Sequence, residues 1–365
     1  MINVPFYSMK RMHEEISHEI EETLRRVVKD NRFVRGRETL NFEDTYADFV
    51  KRKFAIACGS GLDALYLMLR AYGIGEGDEV IVPSDTFYAT ALAVVQLGAI
   101  PIFVEPDILS FNMNPSLLES SITEKTKAII VVHLYGQIAE METICEIAKK
   151  HKLLLFEDAA QAHGATRNGR LAGTFGCAAA FSFYPGKNLG AFGDAGAVVT
   201  DDKEVAEKIH ALGNYGCDYQ YHYLYCGRNS RIDETNAAVL TLKLKYLQKW
   251  NKDKQKTANV YLSNVNNPKI KLPTVLSGNE HIWHIFAIRC QERDVLKKYL
   301  EGYGIFTYIN YPIPMHLQPA FKFLGIRKGD LPIAEEISET ELSIPMWYGM
   351  KDEEIAYVIE KLNKF

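Results

Sequence analysis

The chain has 365 residues, of which 47% are hydrophobic and 24% charged, and its formal net charge is -4. This balance is typical of a globular protein with a large core and excludes a general binder of nucleic acid or anionic membranes, since no basic block stands out. Its six cysteines are dispersed without a CxxC pair, which predicts reduced thiols in a cytoplasmic protein, and no stretch reaches the roughly 18 apolar residues that span a bilayer.

The first elements predicted along the chain are helical. Apolar residues recur at helical spacing over residues 9–29 and again over residues 42–49. A compact unit follows, with a strand at 54–57, a glycine turn at 58–61 and a helix at 62–72. Glycines between a strand and a helix let backbone amides approach a phosphate at the positive end of the helix dipole. By itself, this pattern fits a simple tight turn equally well.

Short apolar runs then follow at regular intervals, at residues 79–82, 100–104, 128–132, 153–156, 178–183 and 197–200. Because they are continuously hydrophobic, they predict strands buried on both faces of a mostly parallel sheet that helices cover. Further on, an alternating run at 281–286 predicts a strand that puts His281 and His284 on opposite faces, which argues against a shared metal ion. We predict an α/β fold with a large domain at 1–249 and a smaller α+β domain at 250–365.

One lysine stands out in the loop after the predicted strand at 178–183. Lys187 is an isolated cation among aromatic, small and glycine residues. A lysine that is partly withdrawn from water loses proton affinity and becomes an amine nucleophile of the kind that Schiff-base chemistry needs. A turn lysine whose ammonium group extends to solvent is the alternative that this segment alone leaves open.

A carboxylate provides the second signal. Asp158 lies just past the predicted strand at 153–156, where it is partly desolvated and needs a cationic partner; a helix-capping role is the alternative. Ligands of open α/β sheets bind beyond the carboxyl ends of the strands, where Asp158, Lys187 and the glycine turn are all predicted to lie. A lysine amine, a buried aspartate and a phosphate cup are the groups that a pyridoxal 5'-phosphate (PLP) site requires.

The motifs resemble those of the DegT/StrS family of nucleotide-sugar aminotransferases, which have the type I fold of PLP-dependent transferases. The resemblance extends over essentially the whole chain. It rests on segments 59–65, 83–87, 157–164, 181–196, 227–234 and 311–318. Several independent motifs in the family's order make the resemblance specific.

The resemblance implies roles for individual residues. Lys187 matches the lysine that forms a Schiff base with PLP, and Asp158 matches the acid that faces the pyridine nitrogen. Gln161 matches the residue near the ring hydroxyl, and Phe87 the aromatic ring that stacks on the cofactor. The remaining cofactor-binding positions are Ser60, Gly61, Leu62, Ser182 and Asn229.

The resemblance also implies a homodimer and a sugar site. Asn229 matches an asparagine that reaches the cofactor phosphate of the other subunit. Tyr184, Asn310 and Tyr311 match positions associated with sugar binding. The chain departs from the family at Asn310, where many relatives have histidine, and this departure leaves the sugar acceptor open.

The implied reaction is a ping-pong transfer of an amino group. L-Glutamate gives its amino group to PLP, which becomes pyridoxamine phosphate, and a nucleotide-linked keto-sugar then takes the amino group. Lys187 moves the proton in both halves. The segment at 311–314 looks more like relatives that act at C-3, so the expected acceptor is a dTDP-3-keto-6-deoxyhexose and the expected product a dTDP-3-amino-3,6-dideoxyhexose.

Three alternatives stay open. A C-4 keto-sugar or a 2-acetamido keto-sugar is an alternative acceptor. Relatives that deoxygenate sugars carry histidine in place of the lysine, so Lys187 argues against that reaction. A PLP-binding regulator without turnover is the alternative from another class, although the chain has no basic face for DNA.

Overall fold

The computed structural model describes residues 2–365. The helices are α1 (Lys10–Glu15), α2 (Ser17–Asp30), α3 (Arg37–Val50), α4 (Gly61–Ala71), α5 (Ala89–Val95), α6 (Met141–Lys150), α7 (Lys203–Leu212), α8 (Glu234–Leu244), α9 (Leu247–Asn264), α10 (Arg293–Gly302), α11 (Pro332–Thr340) and α12 (Asp352–Lys364). The strands are β1 (Phe54–Cys58), β2 (Glu79–Pro83), β3 (Ile100–Val104), β4 (Thr126–Val132), β5 (Leu154–Asp158), β6 (Thr166–Arg167), β7 (Arg170–Leu171), β8 (Ala178–Ser182), β9 (Gly196–Thr200), β10 (Cys217–Tyr219), β11 (His222–Tyr223), β12 (Ile270–Lys271), β13 (Asn279–Glu280), β14 (Phe286–Cys290) and β15 (Glu341–Ile344).

A seven-stranded sheet in the order β1-β9-β8-β5-β4-β2-β3 forms the centre of the fold. Five of its strands, from β8 to β3, run parallel, whereas β9 is antiparallel to both of its neighbours. The predicted mostly parallel sheet is confirmed. The reversed β9 has a useful consequence: Cys58 and Ser182 both pair with Gly196, so β1 and β8 end at the same edge of the sheet.

The continuous hydrophobic runs form strands because both faces of the sheet are covered. Successive side chains of a strand point to opposite faces, and the neighbours Val80 and Ile81 accordingly enter different apolar clusters. Helices α4, α5 and α7 cover one face, and α3, α6 and α8 cover the other. This arrangement leaves the edge at which the parallel strands end as the place for a site.

The C-terminal part is built differently. Strands β12, β14 and β15 form an antiparallel sheet, and an apolar cluster of its own includes Trp283, Phe286 and residues of α10 and α12. The predicted domain boundary at 249/250 falls inside helix α9, and it stays a prediction. Among residues 2–365, no helix is long and apolar enough to cross a membrane.

Two local predictions were wrong. The predicted first helix is interrupted at Ile16, which separates α1 from α2. The predicted strand at 281–286 is irregular as far as Ile285, and Trp283 has a positive φ of 51°. His281 explains this backbone, because its ring accepts a hydrogen bond from the Trp283 amide and stacks on the indole at 3.8 Å.

Candidate active site

The first part of the site lies where α4 begins. The Oγ of Ser60 accepts a hydrogen bond from the amide of Asp63 at 3.1 Å, so Ser60 caps the helix. Gly61 approaches Ser182 so closely that a Cβ at residue 61 would lie 2.5 Å from the Ser182 Cβ, and a Cβ on Gly196 would collide with the Ser60 carbonyl. Two glycines therefore allow a helix N-terminus and two hydroxyl groups to converge, as a phosphate site requires.

Asp158 is buried and is the last residue of β5, not a residue past the strand as predicted, because β5 extends two residues beyond the predicted apolar run. Its Oδ2 accepts a hydrogen bond from the Thr90 hydroxyl at 2.8 Å, and its Oδ1 accepts one from the Ala160 amide at 3.2 Å. Burial raises the pKa of Asp158, and the hydrogen bonds to Thr90 and Ala160 and the charge of Lys187 offset this only in part. The carboxylate therefore has room for a further cationic partner.

Lys187 lies in the loop between β8 and β9 and is partly buried. Its backbone amide donates to the Tyr184 carbonyl at 2.8 Å, which closes a turn. Burial lowers the pKa of Lys187 to about 8, and the negative charge of Asp158 opposes this effect. In a large fraction of molecules, Lys187 is therefore a neutral amine near pH 8. A nucleophile or proton acceptor must be in this form.

Gln161 and two aromatic residues form the next part of the site. The Oε1 of Gln161 accepts a hydrogen bond from the Tyr135 amide at 2.7 Å, and its Nε2 donates to the Tyr311 hydroxyl at 3.3 Å. The ring of Tyr311 lies 5.7 Å from that of Phe87, and 55% of Phe87 is exposed. An exposed aromatic ring beside polar groups provides a surface on which a flat ligand stacks.

The three predicted sugar-binding positions have different surroundings. Tyr184 is 59% exposed. Asn310 is buried, with its Nδ2 donating to the Ser343 Oγ at 2.9 Å and its amide donating to Glu341 Oε2 at 2.6 Å. The Asn310–Tyr311 peptide bond is cis. The structure thus brings Tyr311 to Gln161. Both the backbone N–H and the side-chain amide of Asn310 are directed toward the C-terminal sheet.

Asn229 is exposed and lies on the chain that returns from the hairpin of β10 and β11. Its neighbours hold it beside the start of α4, because Arg228 and Ser230 both hydrogen-bond to the carboxylate of Asp63. Leu62, in the first turn of α4, packs partly buried against the apolar cluster on that face. The backbone on either side of Asn229 is therefore anchored near the start of α4, while the Asn229 side chain is exposed.

These residues fit PLP. The start of α4 and the hydroxyl groups of Ser60 and Ser182 suit its phosphate, and the partly satisfied Asp158 suits a protonated ring nitrogen. Lys187 provides the amine for its aldehyde. Among the described residues, no three His, Cys, Asp or Glu side chains are grouped to hold a metal ion.

The sequence analysis did not identify Thr90 or Tyr135. Thr90 donates to a carboxylate 68 positions along the chain, and Tyr135 contacts Gln161 26 positions along. Contacts at such separations leave no local pattern. The only signal was the pair Thr86 and Thr90, four positions apart, whose hydroxyl oxygens lie 3.1 Å from each other.

Comparison with known proteins supports the family that the sequence motifs resemble. The sequence model of the DegT/DnrJ/EryC1/StrS aminotransferase family matches residues 14–363. The dTDP-3-amino-3,6-dideoxy-alpha-D-galactopyranose transaminase of Aneurinibacillus thermoaerophilus is 45% identical over 99% of both chains. A "pleiotropic regulatory protein" of Geobacillus stearothermophilus is 42% identical over 100% of this chain and 99% of that protein.

A solved structure resembles the whole chain. It is the crystal structure of DesV from S. venezuelae in complex with a ketimine intermediate, and it is 43% identical in sequence. The superposition covers 100% of this chain and 98% of the DesV chain, with a TM-score of 0.98. This likeness confirms the predicted type I PLP-transferase fold.

Proposed function

The chain belongs to the DegT/DnrJ/EryC1/StrS aminotransferase family, and we propose that it transfers the amino group of L-glutamate to the C-3 keto group of a dTDP-linked 3-keto-6-deoxyhexose. The product is a dTDP-3-amino-3,6-dideoxyhexose. The protein is a PLP-dependent aminotransferase, as the family is. The observation that carries the choice of sugar is the identity of 45% with a dTDP-3-amino-3,6-dideoxyhexose transaminase along the full chain.

Each residue has a distinct task in this proposal. Bound PLP supplies an aldehyde that takes up the amino group and a ring that spreads negative charge. The Nζ of Lys187 would move the proton from the α-carbon of glutamate to the cofactor carbon that receives the amino group, and in the second half it would take a proton from that carbon and deliver it to C-3 of the sugar. The carboxylate of Asp158, oriented by Thr90, keeps a proton on the ring nitrogen. Ser60, with Gly61 and Ser182, holds the phosphate.

The sugar end of the site lies at Tyr184 and Tyr311. Tyr184 is exposed two residues beyond Ser182, and the Tyr311 hydroxyl contacts Gln161. We assign Asn310 an indirect part in sugar binding, because its side chain is engaged by Ser343 and it can only hold Tyr311 in place.

The proposed assembly is a homodimer in which Asn229 contacts the cofactor phosphate of the partner subunit. The hairpin before Asn229 exposes large apolar side chains, which are unfavourable in water and typical of an interface. They are Tyr215, Tyr219, Tyr221, Tyr223 and Leu224. An Asn229→Ala variant should therefore lose PLP faster on dialysis than the wild type, with no change in the dimer.

All six cysteines are free thiols. Reduced cysteines fit a cytoplasmic enzyme, since the cytosol keeps thiols reduced. We place the reaction in the cytoplasm, in the supply of aminated sugars for a surface polysaccharide or glycoconjugate.

A half-reaction tests the proposal. Adding L-glutamate to the PLP-loaded protein should convert the absorbance of lysine-bound PLP to that of pyridoxamine phosphate, and a dTDP-3-keto-6-deoxyhexose should restore it. Lys187→Ala should lower both rates by about 10³-fold or more while the fold is kept. A near-normal rate in that variant contradicts the assignment of Lys187.

A panel of acceptors separates the alternatives. Turnover with a C-4 keto-sugar or a 2-acetamido keto-sugar, and none with the C-3 acceptor, would reassign the substrate. A second function is favoured by the 42% identity with a pleiotropic regulatory protein. Bound PLP that reacts with no amino donor would support this regulatory function and contradict the proposed transfer from L-glutamate to the sugar.

A further inference from the structure

The side chain of Asn188, the residue that follows Lys187, is held by hydrogen bonds to several distant parts of the chain. Asn188 is 5% exposed. Its Nδ2 donates to Asn251 Oδ1 at 2.8 Å and to the Ile282 carbonyl at 3.1 Å, and its Oδ1 accepts from Lys254 Nζ at 3.1 Å. The Nδ1 of His284 lies 3.2 Å from the same oxygen. One side-chain amide thus joins the loop of Lys187 to helix α9 and to the irregular segment before β14.

The protonation of His284 follows from this geometry. The Nδ2 of Asn188 already donates twice, so its Oδ1 is the acceptor and the Nδ1 of His284 must carry the hydrogen. Burial and the positive charges of Lys187 and Lys254 keep the pKa of His284 well below its ordinary value. His284 is therefore a neutral imidazole that donates to Asn188.

Lys254 is the unusual member of the group. Its side chain is buried, and its Nζ donates to two neutral oxygens, the Asn188 Oδ1 and the His284 carbonyl at 3.2 Å. Burial lowers the pKa of Lys254 to about 7. An amine buried without a carboxylate is costly, and an apolar side chain of similar length would fill the space more cheaply. The cost is understandable if the hydrogen bond to Asn188 has a function.

We propose that Asn188 and Lys254 are positioning residues for Lys187: Lys254 fixes the amide of Asn188, and the fixed amide sets the direction in which the Lys187 side chain leaves its loop. Lys187 has to deliver a proton between two carbon atoms, so its reach and direction matter. A misplacement of about 1 Å is enough to cost on the order of 10²-fold in rate. The partners of Asn188 lie 63 to 96 positions along the chain, so the reactive amine depends on how the C-terminal part packs against the sheet.

A double-mutant cycle tests this proposal, which rests on the assigned role of Lys187 and not on the identity of the sugar. The variants are Asn188→Ala, Lys254→Met and the double variant, each loaded with PLP. We expect each single change to slow the half-reaction with L-glutamate by about 10-fold to 100-fold, with a KM for glutamate within about 3-fold of the wild type. The double variant should be no slower than the slower single variant, because both changes break one linkage.

A second readout does not depend on turnover. PLP is added to the cofactor-free proteins, its capture is followed by absorbance, and reduction with borohydride followed by mass spectrometry locates it on Lys187. Capture should slow in Asn188→Ala and Lys254→Met, again without additivity. If Lys254→Met does not fold, Lys254→Gln, which keeps a donor of shorter reach, takes its place and should show a smaller effect of the same sign.

Lys243 offers a matched control. It is a buried lysine on α8 whose Nζ donates to the Gly190 carbonyl of the same loop at 2.8 Å and lies 2.9 Å from His13 Nε2. It shares no partner with Asn188, so the effects of Lys243→Met and Asn188→Ala should multiply.

Two results overturn the positioning proposal. One is a multiplicative cycle for Asn188 and Lys254, and the other is a set of variants that unfold at lower temperature but react at the wild-type rate. A wild-type protein that captures PLP on Lys187 but aminates no keto-sugar would instead contradict the proposed function. The double-mutant cycle measured by PLP capture would still test the positioning proposal in that case.

Discussion

The two faces of β5 hold two adjacent carboxylates with opposite surroundings. Glu157 and Asp158 are both buried at the end of the strand and point to opposite faces of the sheet. Glu157 has four partners: the His133 Nε2 at 2.9 Å and the backbone amides of Gly173, Phe175 and Gly176 at 2.6 to 2.7 Å. Asp158 has two, the Thr90 hydroxyl and the Ala160 amide.

Their pKa values differ accordingly. Burial by itself raises the pKa of either group, but the hydrogen bonds to His133 and to the backbone amides more than offset it for Glu157, whose pKa is lowered. The two partners of Asp158 are too few, and its pKa stays raised. A fully satisfied buried carboxylate such as Glu157 holds the fold together, whereas a partly satisfied one such as Asp158 is available for a ligand.

Asp158→Asn should act mainly on catalysis. An amide does not hold a proton on the ring nitrogen, so the half-reaction with glutamate should slow by about 10²-fold or more. The unfolding free energy of the cofactor-free variant should stay within about 1 kcal/mol of the wild type near pH 4 and should not fall below that of the wild type at higher pH. Stopped-flow absorbance measures the rate of the half-reaction, and urea unfolding measures the stability. A stable variant with wild-type rates would contradict the role of Asp158 in the site.

Glu157→Gln should show the reverse pattern. The variant removes a charge from a buried network and turns an amide donor toward backbone donors, which should cost about 3–5 kcal/mol of unfolding free energy. Each folded molecule should still react at close to the wild-type rate. Urea unfolding with active-site titration checks this, and a catalytic loss without a stability loss would contradict the division of roles.

Thr90→Val should have a smaller effect. The change keeps the shape of the side chain and removes one of the two donors to Asp158, so we expect the half-reaction to slow by about 10-fold. Thr86→Val is the matched control, because Thr86 contacts the Thr90 hydroxyl and not the carboxylate. Equal losses in the two variants would show that the packing around residues 86–90, and not the hydrogen bond to Asp158, is what matters.

The smallest effect is a pair of opposite pH slopes in the cofactor-free protein. Glu157 has a lowered folded pKa, so its stabilisation is present above the unfolded value of about 4.3 and is lost as pH falls through the folded pKa. Asp158 has a raised folded pKa, so its contribution is present below about 3.9 and is lost as pH rises.

The stability deficit of Glu157→Gln should therefore shrink as pH falls below about 4.3. The stability of Asp158→Asn relative to the wild type should grow as pH rises from about 3.9. Each unit of pKa difference corresponds to about 1.4 kcal/mol. Unfolding free energies at several pH values provide the test, and slopes of the same sign would contradict the hydrogen-bond account.

Much of the central sheet and part of the site were predictable from local sequence. The apolar runs mark strands because burial on both faces leaves no polar alternation, and Lys187 and Asp158 stand out because a charge beside such runs needs a reason. The run at 281–286 was wrongly predicted to be a strand from its alternating pattern. In the structure, the rings of His281 and Trp283 pack on each other, and the backbone between them is irregular.

Local residue patterns were enough to give the order of the strands along the chain, to place Lys187 beyond the end of one strand and Asp158 near the end of another, and to indicate the kind of chemistry that they support. Tertiary contacts determine which carboxylate of the Glu157–Asp158 pair is left partly satisfied, and which distant groups orient Asp158 and Lys187. The donors to Glu157, the hydroxyl of Thr90 and the amine of Lys254 all arrive from other elements of the fold. Hydrogen bonds of this kind depend on how the chain folds back on itself, and residue spacing carries no record of it.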